Sequence, residues 1–274
     1  MVRSTTATLG EARQPVRGEV LLRTERLSKT YATRAGEAVH ALQDVSLAVG
    51  DGEFVSLVGP SGCGKTTLLM ILAGLVPRSS GEVRFKDADV HEPCTEIGLV
   101  FQRPVLLPWR TVLDNTLLPA EVLGLGRERL RPRALDLLKM VGLSGFEGKY
   151  PSELSGGMQQ RNAITRALLQ DPAVLLMDEP FGALDAMTRD RMSLELQRIW
   201  EMSRKTVVFV THSIQEAVFL SDRVVVMTAR PGQIAEVLRV ELPRPRTLEI
   251  AASPKYNSYV LHIRKLLEGE VHEG

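Results

Sequence analysis

The chain has 274 residues, of which 44% are hydrophobic and 24% are charged, and its formal net charge is +1 at pH 7. This composition is typical of a globular protein and allows one large domain or two small ones. The small net charge argues against nucleic acid or an anionic lipid surface as a bulk partner, because both bind a surplus of lysine and arginine.

The predicted elements divide the chain into segments that differ in their secondary structure. Residues 1–18 carry no apolar segment of the secretory kind, and we expect a disordered tail there. Residues 19–101 hold short apolar runs that predict strands, with one apolar helix among them. Residues 102–171 predict helices without a strong strand signal, and residues 172–240 return to strands separated by helices. A proline-rich link and a last helix occupy residues 241–274. The pattern predicts an α/β protein with a helical insert in an αβα core.

The segment GPSGCGKTT lies between a predicted strand and a predicted helix. It fits the pattern G-x-x-x-x-G-K-S/T, and this context argues against an accidental glycine turn. Its backbone N–H groups and the helix dipole would hold phosphate oxygens. Lys65 would reach the β- and γ-phosphates, and Thr66 would offer its hydroxyl to Mg²⁺. The predicted nucleotide-binding residues are Gly59, Pro60, Ser61, Gly62, Cys63, Gly64, Lys65, Thr66 and Thr67.

Two cysteines, Cys63 and Cys94, carry a further expectation. Because Cys63 lies in the phosphate loop, a structural disulfide is disfavoured and a reducing compartment is favoured. A helix N-terminus and the nearby Lys65 favour a thiolate, so we expect Cys63 to be the more reactive thiol.

Acidic residues follow the predicted strand in AVLLMDEP. Asp178 would hold Mg²⁺ through water, and Glu179 would polarise the attacking water. His212 ends the next predicted strand, where it would contact the γ-phosphate. A helix cap or solvated edge is the alternative for the two acids, and a surface or packing role is the alternative for His212. The presence of the phosphate loop favours the metal-binding and catalytic roles of these three residues.

A second loop that could hold an anion occurs in ELSGGMQQR. Ser155, Gly156 and Gly157 begin a predicted helix and so present N–H groups and a positive dipole end. No second lysine, metal-binding acid or preceding strand accompanies them. A simple helix cap is the alternative, but it explains only the serine and one glycine.

The segment LSGGMQQR closely resembles the signature motif of ABC-transporter ATPases, and the resemblance runs from about Val20 to Val240. It implies a P-loop NTPase (RecA-like) αβα core with an antiparallel β-subdomain, in residues 19–101 and 172–240. The helical subdomain with the signature motif would be residues 102–171. In that family two chains pair head to tail, and the signature loop of one covers the γ-phosphate held by the other. The resemblance therefore implies a homodimer with two ATP and Mg²⁺ sites at its interface.

The same resemblance implies roles for residues that spacing alone leaves open. Tyr31 would stack on adenine, although a packed tyrosine at a strand end is the alternative. Gln102 matches the glutamine that reaches Mg²⁺ and the attacking water, and would act in catalysis with Glu179 and His212. Asp185, in GALD, would contact the opposite subunit. Met158 departs from the glutamine that many family members carry at this position.

The segment PVLLPWRTVLDN resembles the nitrate/sulfonate/taurine importer branch of the family. Leu106, Leu107 and Trp109 form an apolar loop, which is typical of a surface where a partner docks. The alternative is that these side chains cover the core of the insert itself.

The resemblance implies an ATP-hydrolysing importer subunit, with the solute being nitrate, a sulfonate, taurine or a similar small molecule. Separate transmembrane permease subunits and an extracytoplasmic solute-binding protein would be its partners, and nucleic acid would not. It would work in the cytoplasm on the inner face of the cell membrane. A soluble ABC ATPase acting on ribosomes or DNA is the alternative, disfavoured by a single cassette without heptads. A binding-only module is disfavoured because every expected catalytic position is filled.

Overall fold

The computed structural model describes residues 18–32, 37–182 and 184–269, so the predicted tail lies outside the described residues up to residue 17. Within these ranges the strands are β1 (Val20–Ala32), β2 (Ala38–Gly50), β3 (Phe54–Val58), β4 (Ser80–Phe85), β5 (Ala88–Asp89), β6 (Ile97–Val100), β7 (Val174–Asp178), β8 (Thr206–Val210), β9 (Arg223–Met227) and β10 (Ile234–Arg239). The α-helices are α1 (Lys65–Leu72), α2 (Val112–Val122), α3 (Arg127–Met140), α4 (Gly156–Leu168), α5 (Ala186–Ser203), α6 (Ile214–Leu220) and α7 (Pro254–Gly269). Short 3₁₀ turns occupy Pro151–Glu153 and Leu248–Ala252.

A six-stranded sheet in the order β10-β9-β3-β8-β7-β6 forms the centre of the molecule. The strands from β9 to β6 are parallel, and β10 pairs antiparallel with β9. Every residue of β3, β7, β8 and β9 is buried, because helices or the second sheet cover both faces. Since the carboxyl ends of parallel strands share one edge, the loops after β3, β7 and β8 meet there.

A four-stranded antiparallel sheet in the order β2-β1-β4-β5 packs beside this core. Leu22, Leu27, Val45 and Leu47 of its inner face join one hydrophobic cluster with α1 and the adjacent face of the central sheet. The sheet places the carboxyl end of β1, with Tyr31, close to the phosphate loop.

Residues 102–171 contain α2, α3 and α4, which pack around a buried polar contact. Asn162 Nδ2 of α4 donates to the Val112 carbonyl (3.1 Å) and to Thr116 Oγ1 (2.7 Å) of α2. The buried leucines around this contact belong to the same cluster as the α5 and α6 face of the central sheet. The three-helix unit is therefore continuous with the core.

The C-terminal segment closes over α6. The buried guanidinium of Arg246 donates from Nη1 to the carbonyls of Val218, Phe219 and Ser221, which end that helix. Burial lowers the pKa of Arg246 to about 10. Tyr256 of α7 donates its hydroxyl to the Gln215 carbonyl at 3.0 Å. In the part of the chain that the structure describes, no helix combines the length and apolar character needed to cross a bilayer.

Candidate nucleotide site

The phosphate loop lies between β3 and α1, and its glycines are required by its shape. Gly62 and Gly64 have φ angles of 77° and 97°, a region that other residues rarely adopt. A Cβ on Gly64 would lie 2.6 Å from the Ala41 carbonyl oxygen. Gly64 precedes α1 without a side-chain cap, so the first N–H groups of the helix remain available to an anion.

Lys65 is buried inside this loop. Its Nζ donates to the carbonyls of Gly59 (2.8 Å) and Pro60 (2.9 Å). The ammonium charge therefore lies within the cradle that the loop forms. A phosphate bound there would meet a cation already desolvated by the protein, which strengthens their attraction.

Cys63 corrects the expectation about thiol reactivity. Its side chain points into the core, and the residue is 1% exposed, whereas Cys94 is exposed. Sγ lies 3.6 Å from Lys65 Nζ, but solvent cannot reach it. The prediction that Cys63 is the more reactive thiol is wrong, because the thiol contributes to the packing under the loop. Both cysteines are free, as expected.

Thr66 and Asp178 form a pair of oxygen ligands at the start of α1 and the end of β7. Thr66 Oγ1 donates to Asp178 Oδ1 at 3.1 Å. Burial, and secondarily the charge of Glu179, raise the pKa of Asp178, although the Thr66 hydrogen bond and Lys65 oppose the shift. A buried carboxylate of this kind is suited to binding a cation.

Hard oxygen ligands suit Mg²⁺, which is typically held by one or two protein groups together with substrate phosphates and water. A hydroxyl and one carboxylate are therefore sufficient. The described residues contain no group of three or more His, Cys, Asp or Glu that could hold a metal by itself. The Thr66–Asp178 pair thus fits a metal that arrives with the nucleotide.

Glu179, His212 and Gln102 converge beside this pair. Glu179 Oε2 lies 3.2 Å from His212 Nδ1. Gln102 Nε2 and Glu179 Oε2 both face Gly182, at 3.1 and 3.5 Å from the position that a Cβ there would take. Glu179 has a φ of 43°, a strained value that costs of order 1 kcal/mol or more for this residue type. The strain turns its carboxylate to the sheet edge where the phosphate loop lies.

A cleft of about 310 Å³ connects Glu179 and the phosphate loop with Tyr31. Its lining includes Tyr31, Ser61, Lys65, Thr66 and Glu179. Tyr31 is 40% exposed, and Lys29 Nζ lies 4.8 Å from the centre of its ring. The ring is therefore available at the cleft and is not buried in the core, which is the arrangement that stacking on a base requires.

The signature loop lies outside this cleft. Ser155 caps α4 by accepting a hydrogen bond from the Met158 N–H (3.3 Å), and both Ser155 and Gly156 are exposed. None of the described residues that line the phosphate-loop cleft belongs to this segment. The side chain of Met158 packs partly against the core. The helix-cap interpretation is correct for Ser155, and the exposed helix N-terminus stays available to a ligand from outside the chain.

Asp185 also caps a helix. Its Oδ1 accepts from the Thr188 N–H (3.0 Å) and its Oδ2 from the Thr188 hydroxyl (2.6 Å) at the start of α5. These hydrogen bonds keep the pKa of Asp185 below its usual value. The residue is exposed, so its position allows a contact with a second subunit.

Sequence reasoning missed Arg230 and Gly232, which support the phosphate loop from the turn after β9. Arg230 Nε donates to the Gly62 carbonyl at 2.9 Å. Gly232 donates its N–H to the Ala41 carbonyl at 3.1 Å, and a Cβ on Gly232 would lie 1.9 Å from the Cys63 carbonyl oxygen. The dipeptide Pro-Gly in this segment signals a turn, but not what the turn contacts.

Trp109 is 71% exposed, which contradicts the interpretation that it covers the core of the helical insert. The loop that carries it is nevertheless well held. Asn115 accepts from the Leu107 N–H (2.8 Å) and donates to the Arg110 carbonyl (3.0 Å). Arg166 donates to the carbonyls of Pro104 and Val105. The indole is therefore presented by an ordered loop.

The phosphate loop, the oxygen pair on α1 and β7, and the carboxylate–imidazole contact beside them define a P-loop nucleoside triphosphatase. Within that class the chain belongs to the ABC transporter family, whose model matches residues 42–182. The predicted fold class is thereby confirmed, and the chain is an ATPase of the ABC type that binds ATP.

The relatives agree with the predicted branch. The chain is 48% identical over 255 residues to an uncharacterized ABC transporter ATP-binding protein of Methanocaldococcus jannaschii, covering 93% of this chain and 95% of that protein. It is 44% identical over 254 residues to the taurine import ATP-binding protein TauB of Rhizobium johnstonii, with 90% and 96% covered. It is 45% identical over 221 residues to the aliphatic sulfonates import ATP-binding protein SsuB of Bacillus cereus, with 81% and 86% covered. The predicted resemblance to the importer branch is confirmed.

A solved structure supports the fold. The dimeric post-hydrolysis state of an ATP-binding cassette bound to ADP and Pi is 36% identical to this chain, with a TM-score of 0.70. The similarity covers 81% of this chain and all of that one.

Proposed function

We propose that this chain is the ATP-hydrolysing subunit of an importer for a small sulfonate-type anion, such as taurine or an aliphatic sulfonate. Nitrate, a second anion of similar charge, belongs to the same proposal. The observation that carries the proposal is that a set of hydrolytic side chains surrounds the phosphate loop, while a second anion-binding helix end lies outside that cleft. Relatives named for taurine and aliphatic sulfonate import, similar over most of their length, support the solute class.

The second anion-binding loop argues for a head-to-tail homodimer. Ser155 and Gly156 are exposed at the N-terminus of α4, and Asp185 is exposed at the N-terminus of α5. A helix N-terminus stabilises negative charge, so the loop of one chain can cover a γ-phosphate held by the other. The solved relative that retains ADP and Pi is itself a dimer.

Each group in the site has a chemical role in hydrolysis. The loop amides and Lys65 would bind the phosphates, and Tyr31 would stack on the base. Thr66, Asp178 and Gln102 would hold Mg²⁺, which would supply positive charge against the charge that develops on the phosphate oxygens. Glu179 accepts the proton of the attacking water. His212 lies 3.2 Å from Glu179. It would orient that carboxylate and contact the γ-phosphate.

Coupling to transport would use the surface between the edge of the central sheet and the helical insert. A groove of about 440 Å³ there is lined by β6 and by the exposed ends of α2 and α4, including Leu99, Val122 and Leu123. Trp109 and Val105 are exposed on the neighbouring loop. We assign this surface to a transmembrane permease subunit on the inner face of the cell membrane. An extracytoplasmic solute-binding protein would deliver the anion to that permease.

Glu179→Gln tests the hydrolytic and dimeric parts of the proposal. The substitution keeps the size of the side chain and removes the base, so turnover should fall roughly 10²–10⁴-fold. ATP binding should persist, and the stalled chain should elute as a dimer with ATP and Mg²⁺ in size-exclusion chromatography. The exposed Glu92, changed to Gln, is the matched control and should behave as wild type.

Near-normal turnover of the Glu179→Gln chain would refute its role as base, and a stalled but monomeric ATP complex would refute the head-to-tail dimer. The solute class is tested separately in cells. Deletion of the gene should abolish uptake of labelled taurine or an alkanesulfonate, with nitrate measured in parallel. Unchanged uptake of all three anions would refute the solute assignment.

A further inference from the structure

A partly buried side-chain link connects the two loops that flank the hydrolytic groups. On α5, Arg189 Nη2 donates to the Leu184 carbonyl at 3.1 Å, in the turn immediately before Asp185. The same guanidinium places Nε 3.2 Å from Glu216 Oε1 on α6. Arg189 therefore joins the turn after Glu179 to the helix that follows His212.

Glu216 fastens the other loop with its second oxygen. Thr211 Oγ1 donates to Glu216 Oε2 at 2.6 Å. The Thr211 oxygen also accepts the Ser213 N–H at 3.0 Å, and Ser213 Oγ accepts the Glu216 N–H at 3.2 Å. Thr211 is thus bound to the Glu216 carboxylate, and Ser213 is bound to the Glu216 backbone N–H. The same carboxylate forms an ion pair with Arg189 that is not a hydrogen bond from Nε.

Stability alone does not account for this arrangement. The side chain of Glu216 is 8% exposed, and burial raises the pKa of its carboxyl above the ordinary value. A buried ion pair commonly contributes little net stability, because desolvation offsets the attraction. Neither Arg189 nor Glu216 lines the phosphate-loop cleft among the described residues. The pair holds two loops in a fixed position relative to each other, and each of these loops carries a group of the active site.

We propose that Arg189 and Glu216 are positioning residues that transmit contact at Asp185 to His212 and Glu179. Docking of the partner subunit against Asp185 would displace Leu184 and Asp185, and the Leu184–Arg189–Glu216–Thr211 link would carry that displacement to the loop of His212. The link would thereby keep the imidazole and the Glu179 carboxylate, which lie 3.2 Å apart, in their hydrolytic geometry when the dimer closes. This inference rests on the proposed dimeric ATPase function and adds the route by which dimer closure reaches the chemistry.

Arg189→Lys is the direct test, because it keeps the charge but replaces the planar fork with one ammonium that cannot serve both acceptors in the same geometry. We expect kcat for ATP hydrolysis to fall roughly 10- to 100-fold, the cost of misplacing a catalytic group by about 1 Å. The KM for ATP and the ATP-driven dimer should stay near wild type, since the nucleotide contacts are untouched. Arg191→Lys, an exposed arginine on the same helix, is the matched control and should leave kcat unchanged.

Two further variants separate positioning from general stability. Thr211→Ser keeps the hydroxyl that binds Glu216 and should retain kcat, whereas Thr211→Val removes it and should lower kcat to the level of Arg189→Lys. The double variant Arg189→Lys with Thr211→Val should be no slower than the slower single variant, because both substitutions interrupt the same chain of contacts.

The inference would be overturned by a normal kcat in Arg189→Lys, by multiplying effects in the double variant, or by kcat and KM changing together with a lower melting temperature. The wild-type chain separates this failure from that of the proposed function. If the wild-type chain hydrolyses ATP and dimerises with ATP, and the variants have the same kcat as the wild-type chain, the positioning role alone is refuted. Absence of both activities in the wild-type chain would refute the proposed function and the positioning role together.

Discussion

Truncation of Trp109 separates docking from folding, because the two tryptophans of the chain differ in burial. Trp109 is 71% exposed and Trp200 is 4% exposed. Replacing a fully buried tryptophan with alanine costs about 3–5 kcal/mol. With under a third of Trp109 buried, Trp109→Ala should lower the free energy of unfolding by only about 1 kcal/mol. In a chain of this size that corresponds to a drop of about 2–4 °C in Tm.

Trp200→Ala is the matched control for the stability measurement. The Trp200 ring contacts Phe54 edge-on at 5.9 Å between ring centres, and its Nε1 donates to the Lys205 carbonyl at 2.8 Å. Arg244 covers the ring at 4.2 Å from its centre. Its truncation removes these contacts from the core, so we expect the full 3–5 kcal/mol and a fall in Tm of roughly 6–20 °C.

The docking measurement is the affinity of the isolated subunit for its permease in detergent or nanodiscs. Loss of an aromatic anchor at the centre of an interface typically costs about 2 kcal/mol or more, which is roughly a 30-fold rise in Kd. The basal ATPase activity of Trp109→Ala without permease should remain near wild type. A fall in Tm as large as that of Trp200→Ala, or unchanged permease affinity, would refute the docking role of Trp109.

Two other substitutions test the shared site and the metal pair. Ser155→Arg places a cation in the signature loop. The ATP affinity of the monomer should be unchanged within about 2-fold, while turnover falls at least 10²-fold. Loss of ATP binding by the monomer would mean that the loop belongs to its own chain's site. Burial raises the pKa of Asp178 above its ordinary 3.8. The protonated carboxyl therefore stabilises the folded state at low pH, and this stabilisation is lost as pH rises through the folded pKa. Asp178→Asn should therefore raise the Tm of the nucleotide-free protein by a few degrees at pH 7–8, less so toward pH 4, while Mg²⁺-dependent ATP turnover is lost; a lower Tm at pH 7.5 would contradict this.

The sequence determined those features that depend on local conformation and on strand order. Residues other than glycine rarely take a φ such as the 97° of Gly64, and the spacing to Lys65 and Thr66 follows from the helix that begins there. Fully apolar runs predicted buried parallel strands. Because such strands end at one edge, the groups after three of them, Lys65, Asp178 and His212, could be assigned to one site before any contact was known.

The tertiary structure decided the direction of side chains and the contacts between distant segments. The helix dipole and Lys65 suggested a reactive Cys63, but the packing beneath the loop turns its thiol into the core. Trp109 could have faced inward or outward, since its apolar character is compatible with both, and only the fixed loop around Asn115 exposes it.

The arginine contacts that support the site could not be predicted from the sequence for the same reason. Arg230 is 168 positions away from Gly62, and Arg189 reaches Glu216 from a different helix. An arginine on a helix or in a turn has many possible acceptors, and its sequence neighbours do not distinguish them. Long-range packing selects one acceptor by removing water from it, because a buried carbonyl or carboxylate without a donor is costly.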